Sequence, residues 1–146
     1  LRSGASEVVA ARRERGERMQ VHRHWLVLAG CFGLTATMLG AYGAHGLAAT
    51  GIAASLLAAF NTAVQYQFFH ALALLVLGWC GVRSKVITFA GTAFVLGILG
   101  FSGSIYAMVL LGSKGLGLIT PAGGLCFMLG WTALIWAGCR LGGKND

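Results

Sequence analysis

The stretch Asn61-Thr62-Ala63-Val64-Gln65-Tyr66-Gln67-Phe68-Phe69-His70 decides how this sequence folds, because it places amides, hydroxyls and an imidazole at the start of a long apolar run. That run continues over 71–79 without a charged residue. Polar groups inside a bilayer raise the free energy unless they find partners. We therefore expect the rest of the chain to surround this segment and to satisfy its polar side chains.

The composition of the chain is that of an integral membrane protein. Of its 146 residues, 57% are hydrophobic and only 10% are charged, whereas soluble domains carry about 25% charged residues. The acidic residues are Glu7, Glu14, Glu17 and Asp146. None lies in the apolar runs, which excludes a proton or cation pathway built on buried carboxylates.

Four apolar runs are long enough to cross a bilayer as helices. The predicted spans are 25–42, 62–80, 86–111 and 120–139. The sequence thus predicts an all-α fold, an integral membrane four-helix bundle that forms a single domain over 21–141. A polar extension over 1–20, disordered or a short helix, precedes this domain, and a tail over 142–146 follows it.

Two local patterns add to this prediction. The uncharged segment 45–60 repeats Ile52, Leu56 and Phe60 at intervals of four residues, which predicts a short helix between the first and second spans. We expect this helix to be interfacial or to pack on the bundle, and to lead directly into the second span. Met19 precedes a sequence typical of the start of a membrane protein. We therefore expect native initiation at Met19, with the residues before it forming an upstream extension.

The distribution of basic residues predicts the orientation of the bundle. Ten of the eleven Lys and Arg residues fall on one side of the membrane if the N-terminus is cytoplasmic, and only Lys114 falls on the other. By the positive-inside rule, both termini should face the cytoplasm or its equivalent. Trp25, Trp79 and Trp136 would then lie near the inner interface, as in an aromatic belt.

Three segments together resemble a known family. They are Gly-Ala-Tyr-Gly-Ala-His-Gly-Leu over 40–47, the run over 60–74, and Phe-Ser-Gly-Ser-Ile-Tyr over 101–106 with Thr-Pro-Ala-Gly-Gly over 120–124. The sequence resembles the small four-helix inner-membrane proteins of unknown function that include bacterial YgdD and eukaryotic transmembrane protein 256. The resemblance implies a bacterial inner-membrane or mitochondrial inner-membrane location, and it implies no activity.

Polar side chains from all four predicted spans are expected to gather in the outer leaflet, as judged from the helical rise. The candidate residues are Thr37, Tyr42, His45, Asn61, Gln65, Tyr66, Gln67, His70, Ser102, Ser104, Tyr106 and Thr120. They are consistent with an internal hydrogen-bond network, a cup for a small polar headgroup or quinone-like ligand, or a transport pathway. The pathway is the weakest interpretation, because the inner half is mainly apolar.

Catalysis and metal binding are not indicated by these residues. His45 and His70 differ in depth by roughly 12 Å at the helical rise and have no carboxylate nearby, so we expect no metal site and no cofactor. Ser102 and Ser104 have no adjacent base in the sequence, so we expect no catalytic residue. No basic face with interleaved aromatics occurs outside the N-terminal extension, so nucleic acid is not an expected partner.

The cysteines do not indicate a metal site or a redox function. They are Cys31, Cys80, Cys126 and Cys139, all within apolar runs and without a Cys-x-x-Cys pair. We expect them to be small buried hydrophobic residues.

The glycine-rich spans favour a structural role. Ala36, Gly40 and Ala44 form a small-xxx-small row suited to close helix contact. Because the spans offer more such surface than four helices need internally, we expect a non-enzymatic structural or accessory subunit that forms a homo-oligomer or joins a larger membrane complex. The alternative is a binding or transfer protein that takes up an amphipathic small molecule or lipid at the polar cluster.

The sequence also predicts the state of His70. No carboxylate exists in the spans to stabilise a charged imidazole, so we expect a neutral ring that faces the bundle interior. One ring nitrogen should donate a hydrogen bond and the other should accept one. The expected partners are the hydroxyls of Thr37, Ser102 or Tyr106.

Overall fold

Four long apolar helices form the protein in a computed structural model, which describes residues 21–82 and 84–142. These spans, numbered 1 to 4, are Arg23–Leu47, Ala54–Trp79, Lys85–Leu111 and Leu116–Arg140. Each covers about 38 to 40 Å at the helical rise, which exceeds the roughly 30 Å hydrocarbon core of a bilayer. The predicted class is confirmed: the chain is an all-α integral membrane protein. The predicted extension over 1–20, the start at Met19 and residues 143–146 lie outside the described residues.

Spans 1, 3 and 4 are not uniform α-helices. Span 1 is an α-helix over Arg23–Tyr42 that continues as a π-helical turn over Gly43–Leu47. Span 3 consists of the α-helices Lys85–Gly97 and Gly103–Leu111, joined by a π-helical turn over Ile98–Ser102. Span 4 starts with a 3₁₀ turn over Leu116–Leu118 and continues as the α-helix Ile119–Gly142. A π-helical turn inserts a residue into the helix and so changes the direction of the side chains that follow.

The predicted interfacial helix over 45–60 is wrong. Span 1 continues past His45 to Leu47, and the connection that follows turns at Gly51, whose φ is 71°. Span 2 begins at Ala54, so Leu56 and Phe60 of the four-residue repeat belong to its first turns, and Ile52 lies in the connection. The physical reason is Phe60, which is fully buried against the ring of Tyr106 with the ring centroids 5.2 Å apart. A side chain packed inside the bundle ties this segment to span 2.

The spans run antiparallel, so alternate helix ends meet at each end of the bundle. The backbone N–H of His22 donates to the carbonyl of Gly78 at 2.9 Å, which places the start of span 1 beside the end of span 2. We call this end, with Arg23, Lys85 and Arg140, the basic end. Lys114 lies in the connection at the other end, the Lys114 end. The direction of the bundle across the membrane stays a prediction.

Close backbone approach holds spans 3 and 4 together. A Cβ built on Gly123 would overlap the backbone nitrogen of Phe101, so only glycine fits at that position. A buried apolar core lies between this contact and the basic end. Its members are Trp25, Ala29, Leu74, Leu77, Ile87, Ala90, Phe94, Ile98 and Phe127.

Two predictions about side-chain position need correction. Trp25 is only 5% exposed because its indole fills the space beside Gly91, so it is a core residue and not part of an interfacial belt. Trp79 and Trp136 are exposed, as a belt requires. The cysteines are not buried: Cys126 is half-buried and the others are exposed on the bundle surface. Apolar side chains that face lipid need no cover from protein, so an apolar run does not imply burial.

Candidate functional site

Only half of the predicted polar residues come together inside the bundle. Gln67, His70, Ser102 and Ser104 are buried, and Tyr106 and Thr120 are half-buried. The other six are exposed: Thr37, Tyr42, His45, Asn61, Gln65 and Tyr66. The buried residues and their partners from spans 1 and 4 form several separate hydrogen-bonded groups between spans. We call these groups together the central polar network, and its members are Thr35, Gln67, His70, Ser102, Ser104, Tyr106, Thr120 and Trp131.

Gln67 is the junction of this network because its amide links its own span 2 to both span 1 and span 3. Its Nε2 donates to the carbonyl of Phe32 at 2.9 Å and to Oγ1 of Thr35 at 2.7 Å, both on span 1. Its Oε1 accepts from the hydroxyl of Tyr106 on span 3 at 2.8 Å. With both amide atoms bonded, the 3%-exposed side chain fixes span 2 between spans 1 and 3.

Two serines at and just after the end of the π-helical turn of span 3 bind the neighbouring helices. The hydroxyl of Ser102, which is fully buried, donates to the carbonyl of Ala63 on span 2 at 2.8 Å. Ser104 donates to the carbonyl of Phe101 at 3.0 Å and lies 2.6 Å from the hydroxyl of Thr120 on span 4. Since the proton of Ser104 is used on Phe101, the hydroxyl of Thr120 is the donor in that pair.

The hydrogen bonds of His70 fix its protonation state. Nδ1 lies 2.7 Å from the carbonyl oxygen of Tyr66, which can only accept, so Nδ1 carries the proton. Nε2 lies 3.2 Å from the indole N–H of Trp131, which can only donate, so Nε2 is unprotonated. The two partners together select the neutral ring. His70 is 4% exposed, so the structure places it inside the bundle, as predicted.

The predicted partners of His70 are wrong. Its partners are Trp131 on span 4 and a carbonyl on its own helix, because the ring turns toward span 4. There it stacks on Phe127 with the centroids 3.6 Å apart and the planes at 11°. Span 2 starts at Ala54, so His70 lies about 24 Å along it at the helical rise, near the middle of the helix. The network therefore extends from the Lys114 end to mid-bundle.

The exposed candidates do not enter the network. Thr37 donates to the carbonyl of Gly33 on its own helix at 2.9 Å. The ring of Tyr66 packs on Phe101 with the centroids 4.9 Å apart and shields the network from outside. Asn61 lies beside Gly43 at the surface contact of spans 1 and 2. These side chains border the bundle instead of lining a shared site.

Thr35 and Trp131 belong to the network but were not predicted from the sequence. Threonine within a helix usually bonds a carbonyl of its own previous turn, and Thr35 also does so, at 2.9 Å from the carbonyl oxygen of Cys31. Nothing local distinguishes it from Thr37. Trp131 carried a usable signal, because an indole N–H in mid-span needs a partner inside a bilayer.

The geometry describes an interior that is closed to ligands. Within the described residues, every buried side-chain nitrogen and oxygen atom has a hydrogen-bond partner. The hydroxyls of Ser102 and Ser104 and both nitrogens of His70 are engaged in these bonds. A ligand that entered the network would have to replace existing hydrogen bonds. The arrangement therefore stabilises the packing of the four helices through hydrogen bonds between them.

Comparisons with known proteins agree on a membrane family. Residues 39–124 match the family model described as "Protein of unknown function (DUF423)". A UPF0382 membrane protein of Staphylococcus aureus is 40% identical over 120 residues, which cover 82% of this chain and 98% of the relative. UPF0382 membrane protein YwdK of Bacillus subtilis is 36% identical over 119 residues, or 80% and 96% of the two chains. A UPF0382 membrane protein of Haemophilus influenzae is 35% identical over 113 residues, or 77% and 90%. No solved structure matches the chain.

Proposed function

The chain belongs to the DUF423 family, whose members are UPF0382 membrane proteins of unknown function, and from that premise we propose that it is a non-enzymatic accessory subunit. It associates through span 1 with a second copy of itself or with a larger membrane complex. We also propose that the family relationship extends to YgdD and transmembrane protein 256, on the resemblance of the segments 40–47, 60–74 and 101–124. The observation that carries the proposal is a stripe of small residues on the outside of span 1.

The stripe lies beside the face that span 1 packs on span 2. Its members are Gly30, Gly33, Thr37, Ala41 and Ala44, at the spacing of one helix face. A Cβ built on Gly30 or Gly33 would meet no atom within 4 Å among the described residues. Small residues on the outside of a membrane helix allow a second helix to approach closely, and they make few van der Waals contacts with lipid chains.

The predicted small-xxx-small row divides between inside and outside. Ala36 is buried, and a Cβ on Gly40 would lie 3.3 Å from the Val64 side chain, so these two positions serve the contact with span 2. Ala44 is exposed and belongs to the outer stripe. Span 1 therefore has small residues both where it contacts span 2 and on an adjacent outer face. The small residues on the outer face are not needed for the packing of the four spans on one another.

The alternative function, uptake of an amphipathic molecule by the central polar network, receives no support from the geometry. Gln67, Ser104 and His70 are bonded within the bundle, while Gln65 points away from them. A non-enzymatic role fits the same observation, because the imidazole of His70 and the hydroxyls of Ser102 and Ser104 already form hydrogen bonds within the bundle.

Substitutions that enlarge the stripe test the proposal. Gly30→Leu with Gly33→Leu should abolish oligomers or complexes, because bulky side chains prevent close approach, while the unfolding midpoint of the monomer stays unchanged or rises. Native mass spectrometry in mild detergent and chemical cross-linking in lipid would measure association. Gly138→Leu is the matched control, since a Cβ there also meets nothing within 4 Å among the described residues, but on span 4. A wild-type chain that is monomeric in both detergent and lipid would overturn the proposal.

A further inference from the structure

A cleft opens at the basic end of the bundle, far from the central polar network. Its volume is about 760 Å³, and it lies between the start of span 1 and the start of span 3. The polar side chains that line it are His22, Arg23, His24, Ser84, Lys85 and Thr88. This set combines cations, imidazoles and hydroxyls, all of which can donate hydrogen bonds to an anion.

The cleft has positive charge without a nearby carboxylate in its own domain. Arg23 and Lys85 contribute full charges, and residues 21–142 contain neither Asp nor Glu. Spans 1 and 3 both begin here, so the positive ends of two helix dipoles also point toward the cleft. Across the described residues, no side chain caps the first turn of span 1.

Three contacts at the starts of spans 1 and 3 hold the walls of the cleft in place. Nε2 of His22 lies 3.2 Å from the carbonyl oxygen of Val82, in the connection between spans 2 and 3. The ring of His22 meets the ring of His24 edge-on with the centroids 5.8 Å apart. On the opposite side, Ser84 accepts from the backbone N–H of Ile87 at 3.1 Å and fixes the start of span 3. The basic groups thus surround a preformed space.

An apolar groove begins where the cleft ends. Lys85 lines both, and the groove continues between spans 3 and 4 along Phe89, Leu129, Ala133 and Trp136. Free phosphate would use only the charged part of this surface. A molecule with an anionic head and a hydrocarbon chain would use both parts, with Lys85 at the boundary, where its aliphatic stem and ammonium group suit an apolar–polar transition.

We propose that this cleft binds the phosphate headgroup of an anionic phospholipid, with one acyl chain of that lipid in the groove between spans 3 and 4. Arg23 and Lys85 pair with the phosphate. The hydroxyl of Ser84 is placed to donate a further hydrogen bond, whereas the hydroxyl of Thr88 already donates to the carbonyl of Ser84 at 3.2 Å. The site is separate from the stripe on span 1, so it can be tested independently of association.

Charge-matched double variants of the full chain test the proposal. Native mass spectrometry would measure the retention of phosphatidylglycerol relative to phosphatidylcholine with the same acyl chains. Arg23→Gln/Lys85→Gln should reduce this preference roughly 25-fold, at about fivefold for each cation. Arg140→Gln/Lys114→Gln removes the same residue types and the same charge outside the cleft, so the preference should change less than twofold.

Two further measurements separate a lipid site from a site for free phosphate. Inorganic phosphate at 10 mM should neither displace phosphatidylglycerol nor bind detectably by itself; if it does both, the site takes free phosphate and the proposal is wrong. Phosphatidylglycerol with a photoactivatable acyl chain should cross-link the wild-type chain near Phe89 and Leu129, which tests the site without relying on a variant that folds. Cross-links confined to other spans, equal retention of the two lipids, or equal loss in both double variants would overturn it.

Discussion

The central polar network and the cleft at the basic end differ in the charge, exposure and bonding of their polar groups. In the network, neutral side chains that are mostly buried or half-buried form hydrogen bonds within the bundle, as in the contact between Gln67 and Tyr106. In the cleft, Arg23 and Lys85 are exposed and charged, with no carboxylate in residues 21–142 to pair with them. A satisfied buried network stabilises one arrangement of helices. Cations at a membrane boundary that have no carboxylate partner within residues 21–142 can instead bind an anion from outside the bundle.

Loss of the junction in the network should have the largest effect on stability. Gln67→Leu removes three inter-span bonds and leaves the hydroxyl of Tyr106 without its acceptor. We expect the free energy of unfolding to fall by about 2–3 kcal/mol, measured by denaturation in mixed micelles. Gln65→Leu is the control, because the same change two residues away affects an exposed side chain and should be nearly neutral. Equal effects of the two variants would contradict the role of the network.

Substitution of His70 should have the next largest effect. His70→Leu removes the acceptor for the indole N–H of Trp131 and the stacking contact with Phe127. The expected loss is about 1–2 kcal/mol in the free energy of unfolding. His45→Leu, on an exposed position of span 1, is the control and should be almost silent. Tryptophan fluorescence should also change in the His70 variant, since Trp131 loses its bond. A stable variant with unchanged fluorescence would show that the imidazole is dispensable.

The cations of the cleft should contribute less to the stability of the bundle than Gln67 and His70 do. Arg23→Gln/Lys85→Gln should alter the free energy of unfolding in lipid-free detergent by less than about 0.5 kcal/mol, because exposed charges contribute little to stability in the folded chain. The same denaturation assay applies. If these substitutions destabilise the bundle as strongly as Gln67→Leu, the cations are structural and the comparison between the two regions fails.

Composition and periodicity were sufficient for the class of the protein and for most of its outline. An apolar run of sufficient length must be a helix in a bilayer, since only a helix satisfies its own backbone there. The prediction of four spans followed from that constraint and is confirmed. The start of span 2 was misplaced because the segment before Asn61 has no charge, and its apolar stripe fits an interfacial helix as well as a buried one.

The sequence by itself determined that His70 is neutral and internal, because the spans contain no carboxylate and a charged imidazole would be costly there. Only the tertiary structure decided that its partner is Trp131 and that Gln67 bonds Thr35. Partners across spans depend on how each helix is rotated about its axis, and the π-helical turn over Ile98–Ser102 changes that rotation within span 3. The cleft likewise exists only where Arg23 and Lys85, far apart in sequence, meet at adjacent helix starts. The local periodicity of the sequence does not predict that these two residues line one cleft.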